Sequence, residues 1–289
     1  MNFKITVASG KGGTGKTTVS VNLAYLLSKE LDLDIQLVDC DVEEPNSTIF
    51  FPKKCIKETE TCFKQVPEID IEKCTFCGKC AEYCEFSAIT IIQKLEFQEI
   101  HSDLCHSCGA CFIACPNNAI IEKQKSIGVI QNYKIRENLN LVEGRLEIGS
   151  PMQTMLISQL KDYVDGDAHI TVFDSPPGTS CPMVETVSDA DFVILVTEPT
   201  PFGLYDLKLA IDVLKEINIP FGVFINKAGL GDTLLYDYLN QEKIAILGEV
   251  PFDRSYASKY AEGNLLDTTL EKVKPHYQNL MRTLINKLD

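Results

Sequence analysis

Eight residues near the start of the chain, Gly10–Thr17 with the sequence GKGGTGKT, restrict the fold more than any other feature. They satisfy G-x-x-x-x-G-K-[S/T], a pattern that carries meaning only between a strand and a helix. Both flanks qualify: Lys4–Ala8 (KITVA) is a β-branched run, and Lys16–Leu27 spaces Val19, Leu23, Leu26 and Leu27 along one helical face. In such a unit the amides of Gly10, Gly12, Gly13 and Gly15 curl around phosphate oxygens at the positive end of the helix, with Thr14 and Thr18 in the same binding run. Lys16 brings a charge to the outer phosphates, and the Thr17 hydroxyl suits Mg2+. A glycine turn without a ligand is the competing reading, and the flanking elements weigh against it.

Downstream, Ile35–Val38 reads as a buried strand ending at Asp39, Cys40 and Asp41. Ile170–Phe173, Phe192–Val196, Gly222–Ile225 and Ile244–Leu247 are further continuous apolar runs separated by helical stretches. Strands that are apolar on both sides are covered on both sides, so the expected architecture is α/β, a parallel sheet wrapped by helices. Between about Pro52 and Lys125 the composition changes to cysteines, prolines and short apolar pieces such as Ile89–Ile92. The expected organisation is therefore a discontinuous domain, 1–52 and 126–289, interrupted by an insert at 53–125. A length of 289 residues accommodates two such domains.

The insert is an internal repeat. Cys74, Cys77, Cys80 and Cys84 form C-x2-C-x2-C-x3-C, and Cys105, Cys108, Cys111 and Cys115, followed by Pro116, repeat it 31 residues later. Met1–Ser9 has no basic leader with a long apolar core, so the twelve cysteines point to metal or redox chemistry rather than a secreted disulfide scaffold. This spacing lets three thiolates of one tight loop meet one iron-sulfur cube while the fourth reaches the other cube. Structural zinc prefers two pairs to two triads plus singles. His101 and His106 flank the second run and read as surface loop rather than ligands.

A net charge of −14 weighs against nucleic acid and anionic lipid as general partners. No apolar stretch approaches membrane-spanning length, so a cytoplasmic address without membrane insertion is expected. Leu270–Leu288 has helical apolar spacing and reads as a final packing helix, not a basic membrane-targeting one.

The string GKGGTGKTT, with the additional Lys11, resembles the deviant P-loop of the MinD, ParA, Mrp and nitrogenase iron protein superfamily, the SIMIBI-type P-loop NTPases. The resemblance implies that Lys11 reaches the phosphates of a partner subunit in an ATP-bound dimer, either a homodimer or a heterodimer with a paralogous ATPase. VDCDVEEPN (Val38–Asn46) resembles switch I and FDSPPGTS (Phe173–Ser180) resembles switch II. Asp41 and Asp174 would then orient water or hold Mg2+ through its water shell, with Asp39 close enough to share the work. The competing reading is that these acids cap the turns that follow them. Asn226, ending the strand GVFIN, resembles the family asparagine that recognises adenine, and Pro251 in VPFD resembles a second base-contacting segment. ATP is expected over GTP, because Gly229 breaks the pattern N-K-x-D.

Over about sixty residues the insert resembles bacterial two-cluster ferredoxins, an α+β fold. That resemblance implies two [4Fe-4S] clusters with crossed ligation, Cys74, Cys77, Cys80 and Cys115 on the first and Cys105, Cys108, Cys111 and Cys84 on the second. Glu85 stands where that family usually has proline. Cys181, seven residues after Asp174, resembles the cysteine after switch II in the nitrogenase iron protein. It reads either as a ligand or relay for a further metal group or as a small buried hydrophobe. Cys40 reads mainly as the latter, and Cys55 and Cys62 fit no ligand spacing.

The function expected is a Mg2+-dependent ATPase that couples a nucleotide-controlled dimer to electron transfer or to metal-cofactor or iron-sulfur assembly, acting on a redox or metallocofactor partner. The C-terminal C-x-x-C typical of the Mrp-like cluster carriers is missing. The alternative is a MinD or ParA-like spatial organiser whose clusters only fold the insert. A third reading, an electron carrier with a vestigial loop, is opposed by intact Lys11, Lys16, Thr17, Asp41 and Asp174.

Overall fold

The computed structural model describes residues 2–31, 33–266 and 268–288. The chain divides into two compact units, one of Met1–Thr59, Ile130–Arg145 and Ile157–Asp289, the other of Glu60–Val129 and Leu146–Leu156. In chain order the strands and helices are β1 (Phe3–Ala8), α1 (Lys16–Glu30), β2 (Ile35–Asp39), β3 (Cys55–Ile69), α2 (Lys79–Glu82), β4 (Ile89–Ile92), β5 (Phe97–Ile100), α3 (Ala110–Ala114), β6 (Ile120–Arg136) and β7 (Leu139–Leu146). They continue with α4 (Gln153–Lys161), β8 (Ile170–Asp174), α5 (Cys181–Val187), β9 (Phe192–Thr197), α6 (Pro201–Glu216), β10 (Phe221–Ala228), α7 (Leu234–Gln241), β11 (Ile246–Pro251), α8 (Arg254–Ala261) and α9 (Thr268–Leu288). The chain of β3 and of β6 continues from one unit into the other.

In the first unit the strands follow the order β11-β10-β9-β1-β8-β2-β7, with β6 and β3 next in line. Every neighbouring pair from β11 to β7 is parallel. The continuous apolar runs are explained by the two layers they serve. Ile194, Val196 and Phe224 pack into one cluster with α1 and α9, whereas Val193, Leu195, Val223 and Ile225 pack into another with α5, α6 and α7. The α/β architecture with a mostly parallel central sheet thus stands. The run expected at Ile244–Leu247 is displaced, since Ile244 donates its N–H to the Leu239 carbonyl, closing α7, and the strand begins at Ile246. The strands β3, β6 and β7 have no counterpart in the expected sheet.

In the second unit β4 and β5 form an antiparallel hairpin, with Ile89 opposite Ile100 and Ile92 opposite Phe97. The sequence repeat is also a backbone repeat. Positive φ values occur at Phe76 and Ser107, at Gly78 and Gly109, and at Ser87 and Asn118, each pair 31 residues apart. The expected insert, 53–125, overlaps most of this unit.

Candidate functional site

The glycine loop leaves β1 and enters α1 through backbone conformations that few side chains permit. Gly13 and Gly15 have φ of +75° and +95°. A Cβ on Gly15 would fall 2.2 Å from the Asn226 amide nitrogen, and one on Gly10 would fall 2.0 Å from the Asp206 carbonyl oxygen. Helix α1 then starts at Lys16 with no side-chain cap and no acidic residue in its first turn. Its free amides and positive dipole end suit an anion. Lys16 is only 7% exposed, and Thr14 and Thr18 are buried beside it. The Thr14 Oγ1 and Asp174 Oδ2 atoms are buried without a hydrogen-bond partner, so polar groups have been withdrawn from water where a polar ligand would satisfy them.

The carboxylates are placed by strand register. Asp174 ends β8 level with Val7 of β1 and with Asp39 of β2. Ser20 donates its hydroxyl to Asp174 Oδ1 at 3.0 Å. Burial pushes the Asp174 carboxyl up, while Lys16 and the Thr17 and Ser20 hydroxyls pull it down. Asp39 is fully buried and accepts from the backbone N–H groups of Asp41, Asn46 and Ser47 at 3.1, 3.0 and 2.9 Å. It is the clamp of the turn carrying Asp41, a role that the sequence reading does not give to Asp39. Burial first, then the facing Asp174 charge, pushes Asp39 up to about 8. Asp41 is raised to about 6 by burial and by Asp174, with Lys16 opposing.

A fourth acid carries no signal in the sequence. Glu143 on β7 sits level with Asp39, is 2% exposed, and pairs with Arg145 at 3.0 Å while its Oε2 has no partner. Glu143, Asp39 and Asp174 therefore form a row of carboxylates across three adjacent strands. Of the three, Asp39 and Asp174 face each other in a buried setting, and burial together with their like charges opposes ionisation of both.

On the other flank Glu198 binds two lysines, Lys11 at 2.6 Å and Lys227 at 2.9 Å, and both hold its carboxyl below its ordinary range against the opposing effect of burial. Lys227 also donates to the Gly13 carbonyl and Asn226 donates its side-chain amide to the Thr14 carbonyl, both at 2.8 Å. Asn226, expected at the base, thus touches the loop itself. Pro251 is exposed at the end of β11, opposite Ala228. Cys40 is fully buried next to Asp39, as a small hydrophobe should be. Cys181 is exposed at the start of α5, which corrects the reading of it as a buried hydrophobe, because the turn after Asp174 carries it outward.

The second unit sorts its eight repeat cysteines into two groups. Cys74, Cys77, Cys80 and Cys115 line one recess. Cys84, Cys105, Cys108 and Cys111 line another. Backbone N–H groups point at the sulfurs in a repeating way: Phe76 to Cys74 and Ser107 to Cys105 at 3.4 Å, Ala88 to Cys84 at 3.3 Å and Ala119 to Cys115 at 3.2 Å. None of the twelve cysteines is in a disulfide. Among the described residues, no three His, Cys, Asp or Glu side chains converge tightly enough for a single metal ion. His106 is exposed and stacks on Phe86 with ring centroids 3.8 Å apart, and Glu85, Cys55 and His101 stand outside the buried core, whereas Cys62 is buried.

Comparison with known proteins places these features in context. Residues 5–266 match the family described as CobQ/CobB/MinD/ParA nucleotide binding domain. Two uncharacterized proteins of Methanocaldococcus jannaschii are each 33% identical to this chain. One aligns over 264 residues, 90% of this chain and 89% of its own length, and the other over 283 residues, 98% and 96%. An iron-sulfur cluster carrier protein of the same organism is 24% identical over 312 residues, covering 100% of this chain and 86% of its own length. Among solved structures, the cell division ATPase MinD of Pyrococcus furiosus superposes with a TM-score of 0.61 at 18% identity over the whole of both chains. MinD of Pyrococcus horikoshii, in complex with Mg-ADP, gives a TM-score of 0.57 at 18% identity, covering 97% of this chain and 92% of that one. At such identity the likeness is one of fold.

Proposed function

This chain belongs to the CobQ/CobB/MinD/ParA nucleotide-binding family, and from that premise we propose that it is a Mg2+-dependent ATPase carrying two [4Fe-4S] clusters in an inserted ferredoxin-like domain at 53–125. Its nucleotide-controlled dimer, with a second copy or a paralogous ATPase, drives electron transfer or metallocofactor assembly on a partner protein in the cytoplasm. Among the described residues no helix is long and apolar enough to cross a membrane.

The observation that carries this reading is the sorting of the eight thiols. Each recess takes three cysteines from one run and the last cysteine of the other, the crossed set a two-cluster ferredoxin uses. A cube presents four separate irons to four separate sulfurs, so its ligands surround a volume instead of meeting at a point. When bound, each cluster supplies a one-electron redox centre. The chain contributes the thiolates and the four N–H donors that spread their charge.

At the phosphate loop the amides of Gly10, Gly12, Gly13 and Gly15, with Thr14 and Thr18, cradle the triphosphate of ATP, and Lys16 neutralises its outer end. Thr17 and Asp174 are the residues that would hold Mg2+, which supplies positive charge against the phosphates. Asp41, raised towards neutrality, orients the water that attacks the γ-phosphorus as the bond to the β-phosphate oxygen breaks. Lys11 leaves Glu198 to reach the partner's phosphates. Asn226 and Pro251 border the adenine.

Anaerobically purified protein is expected to hold about eight iron per chain, and Lys16→Ala to lose ATP binding while keeping the cluster absorbance. A parent protein that binds no iron, or a variant that retains ATP, would overturn the reading. A second reading, a spatial organiser, draws on the MinD-like fold and on Phe202, Tyr205 and Leu209, exposed along one face of α6. It predicts that cysteine variants lacking iron but still folded keep full biological activity.

A further inference from the structure

The two cysteine recesses repeat each other in sequence, in backbone angles and in N–H donors to sulfur, and one charged residue breaks the repetition. Lys64, on β3, is 3% exposed and is the one buried charged side chain among the described residues of the second unit. Its ammonium donates to the Ser102 carbonyl at 2.8 Å and to the Cys105 carbonyl at 2.9 Å. It is thereby fixed against the backbone of the second ligand loop. Lys125 stands next to it, donating to Ser102 Oγ at 2.7 Å and pairing with the exposed Asp103 at 2.6 Å. Before the first loop the charges are Asp70, Glu72 and Lys73, none of them buried, with Asp70 and Lys73 paired at 2.9 Å. No charged residue lines the first recess beyond its cysteines. Lys64 stands behind the lining of the second recess, on the backbone of Cys105; Glu122 and His106 are in that lining, but both side chains are exposed and any charge on them is screened by water and salt.

We propose that Lys64 holds the cluster of Cys84, Cys105, Cys108 and Cys111 at a higher midpoint potential than the cluster of Cys74, Cys77, Cys80 and Cys115, making it the electron sink of the pair. This rests on the two-cluster reading above. The sign follows from charge. Taking up one electron adds one negative charge to a cluster and its four thiolates, and no proton need follow. A fixed cation shielded from water stabilises the reduced form more than the oxidised one, and the same charge at the surface would do little. When the first cluster is reduced and the second oxidised, the electron moves from the first to the second. One centre is oxidised, the other reduced, and nothing else changes.

The test is an anaerobic redox titration of the full chain followed by EPR. The parent should give two one-electron waves, with the upper one assigned to the second cluster because its signal alone changes in Cys108→Ser. Lys64→Gln, which keeps a hydrogen-bond donor but no charge, should lower the upper wave alone by at least a tenfold change in its reduction equilibrium, about 59 mV for one electron. Lys64→Arg should leave it near its original place. If Lys64→Gln does not load its second cluster, Lys125→Gln carries the test with a smaller fall of the same wave. A single wave of two electrons in a fully loaded parent, an unmoved upper wave, or equal movement of both waves overturns the proposal. A parent with no [4Fe-4S] signal instead removes the two-cluster reading on which it stands.

Discussion

Single residues in the phosphate site are held in states that cost stability. Asp39 ionises near 4 in an unfolded chain but at about 8 in the native one, where burial and Asp174 oppose its charge. Between those values the native state binds more protons than the unfolded state. This raised group therefore stabilises most at low pH, and its contribution is lost as pH rises through about 8, at up to about 1.4 kcal/mol per pH unit. Asparagine at this position cannot ionise. The stability of Asp39→Asn in denaturant should accordingly fall less than that of the parent between about pH 5 and pH 8, and parallel slopes would show that Asp39 does not carry the effect. Gly15→Ala meets two penalties, a positive φ and the Asn226 amide 2.2 Å from the new carbon. It should weaken nucleotide binding about tenfold or more, since a left-handed residue other than glycine costs about 1–2 kcal/mol, and an unchanged affinity in calorimetry would contradict the described loop.

Among the elements, α9 shows how the nucleotide-binding unit is braced. Tyr277 is 1% exposed, packs against Phe224 with ring centroids 5.0 Å apart, and accepts from the Asn22 amide at 3.2 Å. It joins α9 to both the sheet and α1. Tyr277→Ala should cost about 3–5 kcal/mol by the cavity it leaves. Tyr277→Phe should cost about 1 kcal/mol, because Asn22 still donates to Tyr256. Equal losses in urea unfolding would mean that the hydroxyl, not the ring, is the brace. The same scale shows what could be read in advance. Strands buried on both faces, such as Phe192–Thr197, announce themselves as unbroken apolar runs. By contrast β3, CIKETETCFKQVPEI, is exposed along its first seven residues, and β7, LNLVEGRL, buries a glutamate and a glycine. Neither carries the apolar signal, and losing β7 meant losing Glu143. The phosphate loop and the cysteine runs were legible because their chemistry is local in sequence. The partner of Asn226 and the cation at Lys64 were not, because each joins segments that are distant in the chain; the clamp by Asp39 is local, and it is set by the backbone path of the turn from Asp41 to Ser47.

At the scale of the whole molecule, the proposed function joins two chemistries in a family built around nucleotide binding. On that proposal the phosphate loop, its uncapped helix and its row of acids would bind ATP, and the eight sorted thiols would hold electron-carrying clusters. The presence of both in one chain is explained if the nucleotide state is communicated to the clusters. The most direct measurement is the midpoint potential of each cluster, titrated anaerobically in the parent and in Lys16→Ala, with and without MgATP. The account predicts that MgATP moves at least one midpoint in the parent and neither in the variant. Midpoints in the parent that are the same with and without MgATP would contradict it.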